Sequence, residues 1–172
     1  MSRVREEEEH RRHMRLALAE AERAWRLGEV PVGAAVVLDG EVIGRGANAP
    51  LLTGDPTAHA EVLALREAAS RAGNYRLCGA TLYCTVEPCL MCLGAALHAR
   101  VGCVVYGAAD PKVGATSALH ALRRDGAGFN HRFDVIPGVL AEEATALLTA
   151  FFRERRARGG LERASGEVPK WP

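Results

Sequence analysis

The chain has 172 residues, of which 48% are hydrophobic and 25% charged, and its formal net charge is +1. This composition excludes an intrinsically disordered chain, and the length predicts one domain whose core needs no disulfides. The charged start MSRVREEEEHRRHMR lacks the apolar core of a signal peptide, and no apolar run approaches the ~18 residues of a membrane span. The number of cysteines is five, and an odd number does not suit a disulfide framework. We therefore expect a cytoplasmic protein with no membrane partner.

Positive charge is concentrated at the C-terminal end. Residues 151–172 hold six basic and three acidic side chains, whereas residues 27–150 hold nine basic and twelve acidic ones. A basic end of this kind can attract the phosphates of a nucleic acid. A solvated helix face followed by a loose tail would have the same composition, so charge alone does not decide between the two.

The N-terminal part of the chain predicts a helix followed by a β-hairpin. Apolar residues recur at helical spacing over about residues 10–27, and Gly28 ends the pattern. Residues 1–9 are mostly charged, and we expect them to lack fixed structure. The next segment, GAAVVLDGEVIGRG, has two short apolar runs around Asp39-Gly40, which is a strong signal for a tight hairpin.

The middle of the chain alternates predicted helices and strands. Asp55-Pro56 has the pattern of a helix N-cap followed by proline, and this helix is expected to reach about Arg71, with Gly73 beyond its end. The apolar segments ATLYCTV and VGCVVYG predict buried strands. Between them, EPCLMCLGAALHA predicts a helix that begins directly after the first strand.

The last part of the chain predicts a short helix near residues 117–124, a strand in RFDVIPGVL and a long amphipathic helix in AEEATALLTAFFRERRAR. Gly159-Gly160 is expected to end the ordered part, which leaves a single domain over residues 1–158 and a disordered tail over residues 159–172. The element order predicts a three-layer α/β/α domain. Helices would cover both faces of a mixed five-stranded sheet that has the N-terminal hairpin as its antiparallel part.

Cys89 and Cys92 form a C-x-x-C pair behind Pro88, at the expected start of a helix. Such a pair after a strand can be a thioredoxin-like redox site, because a helix N-terminus lowers the pKa of a thiol. It can also bind a metal, since positions i and i+3 lie on one helix face and both sulfurs can point at one ion. A third interpretation is an apolar core that happens to contain sulfur.

His59 and Glu61, about 30 residues upstream, favour the metal hypothesis. With the cysteine pair they complete the pattern H-x-E … P-C-x-x-C, the signature of zinc-dependent nucleobase deaminases. One imidazole and two thiolates would bind Zn²⁺ and leave a coordination position for water, as catalytic zinc sites do. A closed structural site would need a fourth ligand, although only one close cysteine pair is visible. The candidates for it are Cys78, Cys84 and Cys103.

Glu61 is the candidate proton carrier of this site. Zinc lowers the pKa of bound water from ~16 to ~7, so that hydroxide exists at neutral pH. A carboxylate that does not bind the metal can take the water proton, give it to a ring nitrogen and later protonate the departing amine. Because helix positions i and i+2 lie ~200° apart, His59 and Glu61 can serve one site only near the helix start. Taken alone, Glu61 is better explained as a solvated carboxylate near Arg66, and His59 as a core histidine; it is their occurrence together ahead of the P-C-x-x-C segment that favours the zinc site.

The chain resembles the bacterial tRNA-specific adenosine deaminases over roughly residues 12–158. The resemblance rests on EVPVGAAVV, DPTAHAEVLALR, NYRL, TLYCTVEPCLMCLGAALHAR, VVYGAADPKVGA, NHR and FFRERR. It implies the cytidine-deaminase-like fold and one Zn²⁺ per chain, held by His59, Cys89 and Cys92. It also implies hydrolytic deamination of the wobble adenosine of a tRNA anticodon loop to inosine, in which zinc-bound hydroxide attacks C6 and Glu61 shuttles protons.

The resemblance further implies contacts with RNA. Asn48 would contact the flipped nucleotide, the backbone around Ala60 would help seat its base, and Val32 would pack near it. The residues expected at the neighbouring nucleotides and the anticodon loop are Asp110, Lys112, Asn130, His131, Arg153, Arg155 and Arg156. The implied partners are an anticodon stem-loop, that of the arginine tRNA with anticodon ACG, and a second copy of the chain in a homodimer. Family members often carry a basic residue soon after the loop asparagine, whereas NAPLLTGDPT has none.

Three other functions remain open. A small-molecule deaminase acting on guanine, cytosine or cytidine would use the same zinc and glutamate. A zinc-stabilised RNA-binding module would not need Glu61. A redox protein would form a reversible disulfide between Cys89 and Cys92 without a metal. Apart from the resemblance, ordinary turn chemistry explains Asn48 and Asp110, and the preference of helix C-termini for cations explains the arginines near the chain end.

Overall fold

The computed structural model describes residues 3–126 and 128–164, with side chains for residues 4–126 and 128–158. Its helices are α1 (Arg3–Arg26), α2 (Pro50–Thr53), α3 (Ala60–Ala72), α4 (Leu90–Ala99), α5 (Thr116–Arg124) and α6 (Ala141–Ala164). Its strands are β1 (Gly33–Leu38), β2 (Glu41–Ala47), β3 (Thr81–Val86), β4 (Cys103–Ala108) and β5 (Asp134–Ile136). None of the helices in these ranges is long and apolar enough to span a membrane.

The strands form one five-stranded sheet in the order β2-β1-β3-β4-β5. β1 pairs antiparallel with both β2 and β3, whereas β3, β4 and β5 run parallel. One face of the sheet packs against α3 and α4 in the larger apolar cluster, and the other packs against α1 and the start of α6 in a smaller one. The predicted three-layer α/β/α domain with a mixed sheet is thereby confirmed.

The hairpin between β1 and β2 turns at the two residues that the sequence indicated. Asp39 has a φ of 51° and Gly40 a φ of 80°, and positive φ at both central residues is the pattern of a type I′ turn. Leu38 and Glu41 face each other across this turn. Further along, Gly46 lets the backbone of α3 lie directly on β2, because a Cβ there would sit 2.0 Å from the carbonyl oxygen of Ala60.

The first helices begin at different residues from those predicted. α1 begins at Arg3, so the described part of the charged N-terminal segment is helical, since Arg and Glu are good helix formers even without an apolar face. Asp55 is not a helix N-cap. Its Oδ1 accepts hydrogen bonds from the backbone N–H and the hydroxyl of Thr57, which makes a turn, and α3 starts only at Ala60. Gly73 ends α3 in a left-handed conformation, as expected.

The C-terminal part also differs in extent. β5 has three residues, fewer than the predicted strand. α6 continues to Ala164, so Gly159-Gly160 does not end the helix, because glycine lowers helix propensity by only about 1 kcal/mol relative to alanine. The rest of the predicted tail, residues 165–172, lies outside the described residues.

Candidate active site

Two helix starts meet at one point above the sheet. His59 is the N-cap residue of α3, with a φ of −71° and a ψ of 148°. Cys89 is the N-cap residue of α4, with a φ of −73° and a ψ of 172°, and follows β3 after only two residues. His59 is therefore extended rather than helical. The ~200° separation of helix positions i and i+2 therefore does not apply to His59 and Glu61, because only Glu61 has a helical backbone conformation.

His59, Cys89 and Cys92 form a triangle of donor atoms. The Nδ1 atom of His59 lies 3.7 Å from Cys89 Sγ and 3.6 Å from Cys92 Sγ, and the two sulfurs are 3.6 Å apart. A tetrahedral zinc ion with Zn–S of ~2.3 Å and Zn–N of ~2.0 Å would place its ligand atoms ~3.5–3.8 Å from one another. The donor set and its spacing therefore fit Zn²⁺ without rearrangement.

A fourth protein ligand does not join this group in the described part of the chain. The triad is the one cluster of three or more His, Cys, Asp or Glu donors found there with all atoms within 4.8 Å. Cys78 is exposed and Cys84 is buried in the core of the sheet, while Cys103 is partly buried on β4. The hypothesis of a closed structural zinc site gains no support from this arrangement.

The thiols of Cys89 and Cys92 lie within hydrogen-bonding distance of each other. The hydrogen bond between the Cys89 and Cys92 sulfurs lowers the pKa of Cys89 to about 5, with further help from backbone N–H groups and from His59 and against the opposing effect of burial. The same hydrogen bond raises the pKa of Cys92, as do burial and the nearby Glu61. A thiolate is thus present at neutral pH, and thiolates are the ligands that zinc prefers. Both cysteines are unbonded to each other, since their sulfurs are 3.6 Å apart.

Glu61 is buried beside the triad, with 4% of its surface exposed. Burial raises its pKa, although its own backbone N–H and His59 act in the opposite direction. Its Oε2 atom is buried and has no hydrogen-bond partner among the described residues. Arg66 pairs instead with Asp55, at 3.9 Å, so the interpretation of Glu61 as a solvated carboxylate near Arg66 is wrong. A buried carboxyl group with a free oxygen next to the donor triad can accept and return a proton.

Three of the residues expected around the base lie close to this centre. The backbone N–H of Asn48 donates to the carbonyl of Val32 at 2.9 Å, and the next residue donates to the carbonyl of Ala58 at 3.0 Å. These bonds hold the chain around Val32 and Asn48 against the segment that leads to His59 and Ala60. Asn48 is 9% exposed, so little of its side chain is open to solvent.

Asp110 and Lys112 lie in the 109–115 loop, which joins β4 to α5. The Oδ1 atom of Asp110 accepts the N–H groups of Lys112 at 2.9 Å and Val113 at 3.2 Å, so this carboxylate shapes the turn. The side chain of Lys112 is exposed.

Asn130 and His131 lie near the C-terminal end of α4. The carbonyl of Asn130 accepts a hydrogen bond from the guanidinium of Arg100, and the imidazole Nε2 of His131 lies 2.7 Å from the carbonyl oxygen of Val101. Asn130 also lines a cavity of about 350 Å³ between α4 and residues 128–130.

Arg153, Arg155 and Arg156, the arginines of α6 expected at the anticodon loop, are exposed, but they belong to the helical layer on the opposite face of the sheet from α3 and α4. Arg155 donates to the carbonyl of Gly28 at 2.9 Å and lies over the ring of Phe151. Arg153 and Arg156 face solvent. The structure therefore does not bring these side chains to the donor triad.

The sequence gives little indication of a role for two buried or partly buried carboxylates near the site. Glu29 is 2% exposed, and its Oε1 accepts the backbone N–H of Leu52 at 2.7 Å, which fixes α2 beside Asn48. Glu87 receives hydrogen bonds from the 109–115 loop and from Thr116. Neither residue belongs to a spacing pattern, and the position of Glu87 next to Pro88-Cys89 is the only signal in the sequence.

Comparison with known proteins matches the part of the chain that forms this site. A family model described as the cytidine and deoxycytidylate deaminase zinc-binding region matches residues 7–108. That range contains His59, Glu61, Cys89 and Cys92.

Whole proteins are similar as well. The chain is 48% identical over 153 residues to the tRNA-specific adenosine deaminase of Haemophilus influenzae, over 88% of this chain and 87% of that protein. A solved structure from studies of A-to-I editing by tRNA:A34 deaminases at the wobble position of transfer RNA has a TM-score of 0.75 and 42% identity, over 80% of this chain and 99% of that one. A guanine deaminase structure from Bacillus subtilis has a TM-score of 0.54 and 40% identity, over 63% of this chain and 67% of that one. The chain therefore belongs to the cytidine and deoxycytidylate deaminases and, within them, to the family of tRNA-specific adenosine deaminases.

Proposed function

We propose that the protein converts the wobble adenosine of a tRNA anticodon loop to inosine by hydrolytic deamination. The observation that carries the proposal is the buried Glu61 carboxyl group beside three donor atoms at zinc spacing. His59, Cys89 and Cys92 would hold Zn²⁺, which supplies an activated water molecule when bound. This combination provides both a nucleophile for C6 of adenine and a group that can move the protons.

Glu61 carries the proton transfers. Its unpartnered Oε2 atom accepts a proton from the attacking water and delivers it to a ring nitrogen of the base. Glu61 then takes the remaining proton of the added hydroxyl group and passes it to the departing amine, so that adenosine and water become inosine and ammonia. Burial, which raises the pKa of Glu61, favours the protonated state that these deliveries require.

The nucleotide must leave the base stack to reach this centre, because a stacked base cannot approach the donor triad. Sequence-specific RNA proteins act mostly on single-stranded loops, whose bases can be extruded. We assign Asn48 and Val32 to contacts with the extruded nucleotide, and the backbone hydrogen bond that joins them next to the site supports this assignment. From the family resemblance, we propose the arginine tRNA with anticodon ACG as the substrate. We also propose a cytoplasmic location, because five free cysteines suit a reducing compartment.

A homodimer is the second part of the proposal, and the surface of α4 supports it. Leu90 is 59% exposed and Met91 is 36% exposed, directly beside Cys89 and Cys92. Contiguous exposed apolar patches mark interaction surfaces, and we assign these two neighbouring side chains to such a patch. Light scattering after size exclusion should give the mass of two chains, and Leu90→Glu should shift it toward one. A monomeric unsubstituted protein that still deaminates RNA would contradict this part.

The alternative is a small-molecule deaminase, which the similarity to a guanine deaminase favours. The decisive experiment incubates the zinc-loaded protein with an anticodon stem-loop that carries adenosine at the wobble position, and in parallel with free guanine, cytosine and cytidine. We expect inosine in the digested RNA. Turnover of a free base or nucleoside without inosine in the RNA would favour the alternative, and no turnover of any substrate would contradict both.

A further inference from the structure

The carboxylate of Glu87 accepts hydrogen bonds from Asp110, near the start of the 109–115 loop, and from Thr116, directly after its end. Its Oε2 accepts the backbone N–H of Asp110 at 3.2 Å. Its Oε1 accepts the backbone N–H of Thr116 at 3.1 Å and also the hydroxyl of Thr116. Among the described residues, Glu87 forms no salt bridge. Its carboxylate therefore interacts with these hydrogen-bond donors and not with a cationic side chain. Hydrogen bonds to an ionised acceptor are about twice as strong as neutral ones.

The backbone around Glu87 reinforces the same connection. The N–H of Glu87 donates to the carbonyl of Ala108 at 2.8 Å, and the N–H of Ala115 donates to the carbonyl of Pro88 at 3.1 Å. Gly114 lies so close that a Cβ there would be 2.4 Å from Glu87 Oε2. The loop is thus fitted to the segment that ends at Cys89, one of the three donors of the triad.

We propose that Glu87 is a positioning residue that sets the 109–115 loop relative to Cys89, and hence the RNA-contacting residues Asp110 and Lys112 relative to the reacting base. The consequence for RNA rests on the proposed function, whereas the connection itself rests on the hydrogen bonds. Asp110 shapes the turn that presents Lys112. If the two ends of the loop are released, both side chains lose their fixed distance to the site.

The first variant is Glu87→Gln, because an amide replaces one accepting oxygen with an NH₂ group that cannot accept from a backbone N–H. We expect the KM for the anticodon stem-loop to rise about tenfold, the size of one lost charged hydrogen bond, with kcat much less affected. Zinc content should stay at one per chain. Amide hydrogen exchange should accelerate over residues 110–116 and stay unchanged in β3.

The second pair of variants keeps the test decisive if Glu87→Gln folds poorly. Thr116→Val removes only the hydroxyl that Glu87 accepts, and it should give a smaller change of the same kind. Thr116→Ser retains the hydroxyl and should restore the KM and the exchange rates of the unsubstituted protein. Unchanged exchange over residues 110–116 in both Glu87→Gln and Thr116→Val would overturn the proposal, as would loss of zinc with an intact loop. Failure of the unsubstituted protein to form inosine would reject the proposed function, and the exchange experiment would still decide whether Glu87 positions the loop.

Discussion

The Nδ1 atom of His59 lies 3.6 Å from the sulfur of Cys92, although the two residues are 33 positions apart in the chain. The contact exists because His59 caps α3 and Cys89 caps α4, so that the starts of two helices converge. Helix N-termini carry partial positive charge and stabilise thiolates. The fold thus stabilises thiolate ligands at the start of α4, next to the imidazole of His59.

The first prediction concerns metal content. Protein purified under reducing conditions should contain about one zinc per chain, because three donors at tetrahedral spacing leave room for one ion. Cys92→Ala should remove most of the zinc. Cys78→Ser is the matched control, since Cys78 is exposed and lies outside the triad, and it should retain the metal. A metal-free protein with a reversible Cys89–Cys92 disulfide would instead support the redox hypothesis. Elemental analysis together with thiol titration distinguishes these outcomes.

The second prediction concerns the proton carrier. Glu61→Gln should lower kcat by about 10²–10⁴, the usual contribution of general acid–base catalysis, while zinc content stays unchanged. The matched control is Glu67→Gln, because Glu67 lies on the same helix but is exposed and pairs with Arg71. Its kcat should equal that of the unsubstituted protein. Single-turnover deamination of the stem-loop measures both variants. Full deamination activity of Glu61→Gln would mean that another group carries the protons. RNA binding without deamination by the unsubstituted, zinc-loaded protein would instead support the zinc-stabilised RNA-binding module.

The sequence indicates the donor triad because its residues follow a fixed spacing and because a local signal, Pro88 before the cysteine pair, marks the start of α4. A local signal fails at Asp55, whose carboxylate bonds to Thr57 and makes a turn where an N-cap was expected. Both an N-cap and a turn use an Asp oxygen that accepts a backbone N–H, so the local sequence does not distinguish them.

Tertiary contacts explain what the sequence does not predict. Glu29 and Glu87 look like ordinary charged residues, and their partners Leu52 and Thr116 lie 23 and 29 positions away. Only the arrangement of the sheet brings these donors and acceptors together. The position of the α6 arginines, across the sheet from α3, likewise depends on the packing of layers and not on their spacing.

The third prediction concerns the α6 arginines. If Arg153 and Arg156 meet RNA phosphates, affinity should fall as salt rises, with a slope of about −0.7 per contact for single strands. Replacement of both by Gln should flatten that slope by roughly 1.4. Arg155→Gln is the contrasting variant, because this side chain is bonded to Gly28 and should mainly affect stability. Binding of an inactive Glu61→Gln protein to the stem-loop at several salt concentrations gives the slopes. An unchanged slope would mean that Arg153 and Arg156 do not contact RNA phosphates and that RNA binds elsewhere on the protein.

The fourth prediction concerns the packing that supports the site. Gly46→Ala would place a Cβ 2.0 Å from the carbonyl oxygen of Ala60 and 2.7 Å from the backbone nitrogen of Ala64. Both atoms belong to the backbone of α3 and can move only with the helix. We expect a loss of about 1–3 kcal/mol in the free energy of unfolding, and lower activity, because α3 carries Glu61. Gly94→Ala is the control, since a Cβ there meets nothing within 4 Å. Equal urea midpoints for the two variants would contradict the close approach of α3 to β2.

The fifth prediction concerns pH and the layer behind the sheet. His13 is 2% exposed and packs against Tyr83, with ring centroids 5.2 Å apart. Burial lowers its pKa most, Arg12 and His10 lower it further, and Glu9 opposes them. The unfolded chain therefore binds a proton at His13 below pH ~6.5, whereas the folded protein binds it only at lower pH. Stability should fall as pH decreases from ~6.5 through the folded pKa, because protons then favour the unfolded state.

His13→Phe tests this contribution, because phenylalanine keeps the ring against Tyr83 and cannot bind a proton. The free energy of unfolding in urea, measured at pH 7.5 and at pH 5.5, should fall less in His13→Phe than in the unsubstituted protein. His120→Gln, at an exposed position on α5, should retain the original dependence. Acid also releases zinc from its ligands, but it does so in all three proteins, and the comparison removes that shared effect. Identical pH dependence in His13→Phe and the unsubstituted protein would mean that burial of His13 does not control acid stability.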